Sequence, residues 1–333
     1  MAAPVRFAIL GFGLHAVRRL LPAFAPSERT RLVGMWRRDQ NAAKQNCIEH
    51  KIAHCFTSPE ELCASPDVDA VFITSPDAMH YADTLMALRY GKAVLCEKPV
   101  AMNAAQAREM VDASKTTGAL YGVAQNFRYN HSLDWVRKQI QAGKIGRPQI
   151  ARAEFDYPAN HAPRKWIMDP TLACGGPIGD VGVHCIDALR YVLGEEVESI
   201  STLATKTHPE DQVEATAMLQ MQMTGGVLAS VGVSARSPYR TLVEITGSDG
   251  VLIAENGLTV DRPIEMVLRR AGEVVETATA DNADAYTRML DAFADAMQGG
   301  EPFAATGEDG VRNMMALDAA FRSWKTGQRE TIG

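Results

Sequence analysis

Within residues 1–126, short apolar runs alternate with stretches of helical periodicity, and no other feature limits the fold as much. The runs fall at 5–10, 31–36, 53–57, 69–74, 93–96 and 120–125, with amphipathic or N-capped segments between them. Strands joined by helical crossovers lie parallel, so this region is expected to form an α/β domain on a doubly wound parallel sheet. In such sheets ligands bind beyond the carboxyl ends of the strands, which makes the turn after each run a candidate site.

The first of these turns reads Gly11-Phe12-Gly13-Leu14-His15-Ala16. The first glycine permits a tight turn, the second admits a pyrophosphate close to the backbone, and a small third residue lets helix and strand pack together. The anion would sit at the helix N-terminus, drawn by free N–H groups and the helix dipole. Gly11, Phe12, Gly13 and Leu14 are therefore expected at a dinucleotide. Roughly 20 residues further on an acidic residue would hold a ribose 2′-hydroxyl. Here the chain carries Trp36-Arg37-Arg38, with Asp39 one step later. Guanidiniums bind phosphate bidentately and keep their charge, so NADP (NADPH) is the expected cofactor, with NAD the second choice.

Two later turns belong to the same pattern. Residues 69–74 lead into Ser75-Pro76-Asp77-Ala78-Met79-His80, and 93–96 lead into Glu97-Lys98-Pro99. Pro99 cannot continue a central strand, so the chain turns at Glu97-Lys98 and leaves a lysine and a carboxylate at the strand end. An arbitrary loop lysine is most often solvated. A nucleotide turn ahead of it gives Lys98 a second reading.

Beyond residue 126 the pattern changes. From residue 197 the apolar period falls to two in many places, with turn signals at Thr224-Gly225-Gly226 and Gly247-Ser248-Asp249-Gly250, so an antiparallel meander is expected. Helices are expected over 132–142, 283–298 and 310–326. Residues 175–194 hold apolar positions at helical spacing and end in a glycine stop. Asp180 and His184, four apart, share a face that continues toward Asp187 and Tyr191. A carboxylate that orients an imidazole is a proton-transfer unit. A structural ion pair or a satisfied core histidine has the same spacing, and all three readings stay open.

The formal charge of -6 leaves no basic field for nucleic acid. No apolar run reaches the roughly 18 residues of a membrane span. The N-terminus enters a strand pattern without a signal peptide's succession of regions, so a cytoplasmic protein is expected. The six cysteines form no CxxC pair and are expected as reduced thiols. His50, His54 and Cys55 are too few for a transition-metal site, and no metal is expected.

Together these stretches resemble the glucose-fructose oxidoreductase and inositol dehydrogenase family, Gfo/Idh/MocA, over nearly the whole chain. The resemblance is carried by Gly11-Phe12-Gly13 with Ala16, by Ser75 to His80, by Gly91-Lys92-Ala93-Val94-Leu95-Cys96-Glu97-Lys98-Pro99, and by Gly175-Gly176 with Asp180, His184 and Asp187. It implies a Rossmann domain over 1–126 and, over 127–333, an α+β domain with a large open, mainly antiparallel sheet. It implies NAD(P)-dependent oxidoreduction of a sugar, sugar derivative or cyclitol, with Trp36-Arg37-Arg38 similar to the NADP-preferring members. By the same likeness Lys98 contacts nicotinamide and substrate through a cis Lys98–Pro99 turn, and Asp180 and His184 line the substrate site. Ser75, Pro76, His80 and Glu97 would join the cofactor edge, Glu97 as a supporting partner. Asn126, Arg128, Tyr157, His161, Arg164, Lys165 and Trp166 are candidates to face the substrate, and their identities name no sugar. The sheet offers a face for a homodimer or homotetramer. An NAD-dependent glycosidase that oxidises transiently, or a non-catalytic nucleotide-binding sensor, would fit the same resemblance.

Overall fold

The computed structural model describes residues 2–159 and 165–333. They divide into two compact units, one of Met1–Ala124 with Tyr286–Val311 and one of Gln125–Ala285 with Arg312–Gly333.

The first unit is built on β1 (Val5–Leu10), β2 (Thr30–Trp36), β3 (His54–Cys55), β4 (Ala70–Ile73), β5 (Ala93–Cys96) and β6 (Tyr121–Val123). They pair in the order β3-β2-β1-β4-β5-β6, and every pair is parallel. Helical crossovers put helices on both faces of such a sheet, which is why its central strands are apolar without alternation. Phe7, Ile9, Leu10, Phe72, Ile73 and Leu95 are fully buried. The chain order reverses between β1 and β4, the kind of switch point at which α/β sheets bind ligands.

The expected division into 1–126 and 127–333 needs one correction, because Tyr286–Val311 returns to the first unit. The reason is packing. The helix Ala285–Met297 seats Phe293 against Phe7 and Phe303, with ring centroids 5.9 and 5.1 Å away. Val123 then donates its N–H to Ala305 O at 2.8 Å, so the segment also completes hydrogen bonding along β6.

The second unit carries a nine-stranded sheet. Its strands are β7 (Pro148–Asp156), β8 (Val197–Thr205), β9 (Thr216–Met223), β10 (Leu228–Ser234), β11 (Arg240–Gly247), β12 (Val251–Glu255), β13 (Pro263–Arg270), β14 (Glu273–Asp281) and β15 (Glu330–Thr331). The order is β14-β13-β12-β11-β7-β10-β9-β8-β15. All pairs are antiparallel except β7 with β10, so the meander is interrupted by β7 lying between β10 and β11. One face buries Ala151, Ala153, Leu219, Met221, Ala229 and Val231, and the helix Val183–Leu193 packs against β7 and β10. On the other face Leu203, Met218, Leu228 and Ile150 are exposed; the strand register pairs Leu203 with Met218 and Leu228 with Ile150, the two pairs standing four residues apart along the strands. Among the described residues no helix is long and apolar enough to cross a membrane, and the six cysteines are free thiols.

Phe293 is 0% exposed. Phe293→Ala is expected to lower unfolding stability by about 3–5 kcal/mol, the usual cost of a buried phenylalanine. A loss below about 1 kcal/mol in denaturant titration would show that the returning segment is not part of the first core.

Candidate active site

The register of the first sheet lines up four strand ends. Trp36 partners Leu10, Leu10 partners Ile73, and Ile73 partners Cys96. The residue after each end bonds back to this row, Gly11 N to Trp36 O at 3.0 Å, Thr74 N to Leu10 O at 2.8 Å and Glu97 N to Ile73 O at 3.0 Å. The glycine turn, Arg37-Arg38, Ser75 and Glu97-Lys98 therefore leave the sheet at one edge. Gly11 has a φ of +94°, and a Cβ there would lie 2.5 Å from Ser75 N. Only glycine lets these two turns touch. At Gly13 an added Cβ would meet nothing nearer than 3.7 Å, and Leu14, 39% exposed, opens the helix. Open backbone at a helix start fits a dinucleotide's pyrophosphate.

Phe12 departs from expectation. Its side chain is buried, with the His50 ring 6.1 Å away, and its N–H is taken by Trp36 O at 2.9 Å. An apolar ring next to a strand end gains more from the core than from a nucleotide, so Phe12 shapes the turn from beneath.

At the end of β2, Trp36 donates its indole N–H to Thr57 O at 3.3 Å. Arg37 is half-buried and donates to Asn46 Oδ1 at 2.8 Å. Arg38 is exposed and has no partner among the described residues. Asp39 caps the helix Gln40–Glu49, its Oδ1 accepting the N–H groups of Asn41 and Ala42, each at 3.0 Å. The nearest carboxylate is thus committed to the helix, which leaves arginine as the available charge.

Glu97 binds the turns together. Its Oε1 accepts from His15 Nε2 at 2.9 Å and its Oε2 from Lys98 N at 3.2 Å. Burial pushes the Glu97 carboxyl up, but His15, Lys98 and His80 outweigh it and hold the group below the usual carboxylate range. An ionised Glu97 therefore links the glycine turn to Lys98. The Lys98–Pro99 peptide is cis, as the family likeness implies.

Ser75 and His80 do not offer their side chains to a cofactor, contrary to expectation. The Ser75 hydroxyl donates to buried Asp83 at 2.7 Å, and both ring nitrogens of His80 meet backbone carbonyls. Burial pushes the Asp83 carboxyl up, partly offset by Ser75 and His80. Pro76 stands just before the helix Asp77–Arg89. What these residues can give a nucleotide is turn shape.

In the second unit, Ile178–Gly182 forms a π-helical turn that runs into the α-helix Val183–Leu193. π-Turns interrupt helices most often at functional sites. The start of this segment is held by Glu214, 1% exposed, which accepts the N–H groups of Gly176 at 3.0 Å and Ile178 at 2.8 Å. Burial pushes the Glu214 carboxyl up against those two bonds. A Cβ on Gly176 would lie 2.0 Å from the Glu214 backbone oxygen, so the close approach requires glycine.

Asp180 and His184 lie on this segment, both buried, and each has its own anchor. Asp180 Oδ2 accepts the Tyr157 hydroxyl at 2.7 Å. His184 Nδ1 lies 3.1 Å from Gln125 Oε1, with the Phe127 ring edge-on at 4.5 Å. Gln125 Nε2 and Asn126 Nδ2 are buried without a hydrogen-bond partner. Buried amide donors left unpaired are costly, and a hydroxylated ligand is one way to satisfy them.

Arg128, expected to face the substrate, is part of the framework. Its Nε and Nη2 donate to Asp187 at 2.8 and 2.7 Å, and Asn313 adds a third bond to that carboxylate at 2.8 Å. A buried carboxylate demands such partners, and the planar guanidinium supplies two at once. Trp166 is half-buried in a short 3-10 turn, Lys165–Met168. His161 and Arg164 lie outside the described residues, as does the Lys165 side chain. Among the described residues no group of three His, Cys, Asp or Glu side chains is arranged to hold a metal ion.

Residues 5–125 match the family model described as an oxidoreductase family with an NAD-binding Rossmann fold, and residues 133–253 match the GFO/IDH/MocA C-terminal domain. The chain is 35% identical to 1,5-anhydro-D-fructose reductase of Ensifer adhaerens over 290 residues, covering 85% of this chain and 86% of that protein. It is 32% identical to trans-1,2-dihydrobenzene-1,2-diol dehydrogenase of Mus musculus over 227 residues, covering 68% and 67%. Its fold matches a levoglucosan dehydrogenase solved with NADH and levoglucosan, with a TM-score of 0.88 over 99% of both chains at 19% identity.

The steric limit at Gly176 gives a direct test of how the polar cluster is held. Gly176→Ala is expected to lower turnover on the order of 10²-fold, the scale of a displacement near 1 Å at a catalytic group. Turnover at the wild-type level would show that the Glu214-held turn does not set the positions of Asp180 and His184.

Proposed function

The chain belongs to the GFO/IDH/MocA oxidoreductase family, and on that premise we propose that it is an NADP(H)-dependent enzyme exchanging a hydride with a secondary alcohol or ketone of a sugar, sugar derivative or cyclitol. The observation that carries this reading is the buried His184 held at Nδ1 by Gln125, next in sequence to the unpaired amide donor of Asn126. A bound nicotinamide supplies or takes up the hydride at its C4.

The chain's own groups manage the oxygen. Gln125 Oε1 only accepts, which puts a hydrogen on His184 Nδ1 and leaves the neutral ring's lone pair on Nε2. That nitrogen takes the hydroxyl proton during oxidation and returns it during reduction. Asp180, held by Tyr157, orients the substrate. The Lys98 ammonium stabilises negative charge as it develops on the reacting oxygen.

Cofactor choice rests on the end of β2. Arg38 is free and exposed, Arg37 sits beside it, and Asp39 is occupied as a helix cap. A 2′-phosphate gains charge-assisted bonds there, and a 2′-hydroxyl lacks an uncommitted acid. The exposed pairs Leu203 with Met218 and Leu228 with Ile150, on one face of the second sheet, support association through that sheet, as a homodimer or homotetramer.

The functional test is a panel of keto-sugars, sugars and cyclitols with NADPH and NADH in parallel, beginning with 1,5-anhydro-D-fructose because of the named relative. Ketone-dependent NADPH oxidation supports the reading. Glycoside release without net cofactor consumption would favour a glycosidase, and cofactor binding with no turnover across the panel would favour a sensor.

Positioned acid–base catalysis contributes about 10²- to 10⁴-fold, so His184→Ala should slow turnover by that range while NADPH affinity stays nearly constant. An unchanged rate would remove His184 from the mechanism. Arg38→Ala should raise the KM for NADPH more than that for NADH. Equal effects on both cofactors would overturn the 2′-phosphate assignment.

A further inference from the structure

The His80 ring is 1% exposed and lies between two carbonyls from different turns. Nε2 is 2.7 Å from Ser75 O and Nδ1 is 2.8 Å from Pro99 O. A carbonyl oxygen accepts and cannot donate, and a neutral imidazole has a single N–H. A neutral ring would therefore press one nitrogen lone pair against a carbonyl in a buried place, an arrangement buried polar groups avoid. Two hydrogen bonds at these distances require a hydrogen on each nitrogen.

We propose that His80 is a protonated imidazolium in the folded enzyme, clamping the Ser75-Pro76 turn to the Lys98-Pro99 turn and thereby acting as a positioning residue for Lys98. The last step rests on the catalytic role assigned to Lys98 above, whereas the charge state does not. Two backbone acceptors cannot bond each other, so a double donor is the one kind of group that can join them. His80 also completes a chain of contacts, because Ser75, whose carbonyl it binds, gives its hydroxyl to Asp83 on the same helix as His80.

The charged surroundings are consistent with this state. Asp77 and Asp83 face the ring from its own helix, and Cys96, Glu97 and Lys98 belong to the end of β5 and the turn after it. Burial favours the neutral ring, but the Cys96 sulfur, Asp77 and the Pro99 carbonyl outweigh it and hold the pKa at about 10. The folded value stands above the ordinary histidine value of about 6.5, so the clamp's stabilisation is complete below about pH 6.5 and is lost as pH rises toward 10.

The direct test is a long-range proton–nitrogen spectrum of the full chain labelled with ¹⁵N-histidine, recorded at pH 7 and pH 9. The expected result is one histidine with both ring nitrogens at the imidazolium position at both values, its signal absent in His80→Gln. If every histidine shows an unprotonated ring nitrogen at pH 9, the proposal is overturned. Should His80→Gln fail to fold, the wild-type spectrum still decides the charge state.

For the positioning role, His80→Gln should lower kcat about 10- to 10²-fold with the KM for NADPH nearly constant. A wild-type kcat, or a fall in kcat matched by an equal rise in the KM for NADPH, would sink the positioning role. If Lys98→Met retains wild-type kcat, the catalytic role of Lys98 fails and the positioning role fails with it, while the spectrum still answers for the charge.

Discussion

Parallel strands end on a common edge, and the chemistry of the first unit depends on that geometry. Leu10, Trp36, Ile73 and Cys96 occupy one row of the register, so four turns far apart in sequence begin beside one another. The row alone would give four solvated loops. Contacts between the turns make it a site, with Gly11 against Ser75, His15 bonded to Glu97, and His80 reaching from the Ser75 carbonyl to that of Pro99. Each draws a turn toward its neighbour, and Lys98 lies at the end of the series. A point charge on a flexible stem needs such support to act at a fixed place.

The second unit solves a similar problem with a buried carboxylate. Glu214 on the chain just before β9 takes two N–H groups from the turn that opens the Asp180 and His184 segment. Arg128, Asp187 and Asn313 then tie that helix to two other parts of the same unit. Such a network is poor evidence of stability, since desolvation offsets much of the Coulombic gain. Its value lies in direction. A helix fixed at its start and along its length presents Asp180 and His184 at set positions, with Tyr157 and Gln125 as the last restraints.

Much of this was legible in the sequence because strand period, crossover pattern and glycine spacing are local. Gly11, Gly13, Lys98, Asp180 and His184 stood out for that reason. The residues that hold them did not. Gln125 reaches His184 across 59 positions, His15 reaches Glu97 across 82, and Glu214 reaches Gly176 across 38. No periodicity encodes such pairs. Arg128 misled for the same reason, since an arginine just past a strand reads as a ligand contact until its carboxylate, 59 residues away, is known. Tyr286–Val311 likewise carries an amphipathic helix whose pattern shows that it packs but not which core receives it.

The central claim is that hydride passes directly between nicotinamide C4 and a carbinol carbon of a sugar-like substrate. Turnover of a reducible keto-sugar with NADPH carrying deuterium on the transferred face of C4, followed by mass spectrometry and NMR of the product, measures that transfer. The account predicts one deuterium on the carbon that was the carbonyl, together with one equivalent of NADP⁺. Product without deuterium there, or product formed while NADPH stays undiminished, would contradict it.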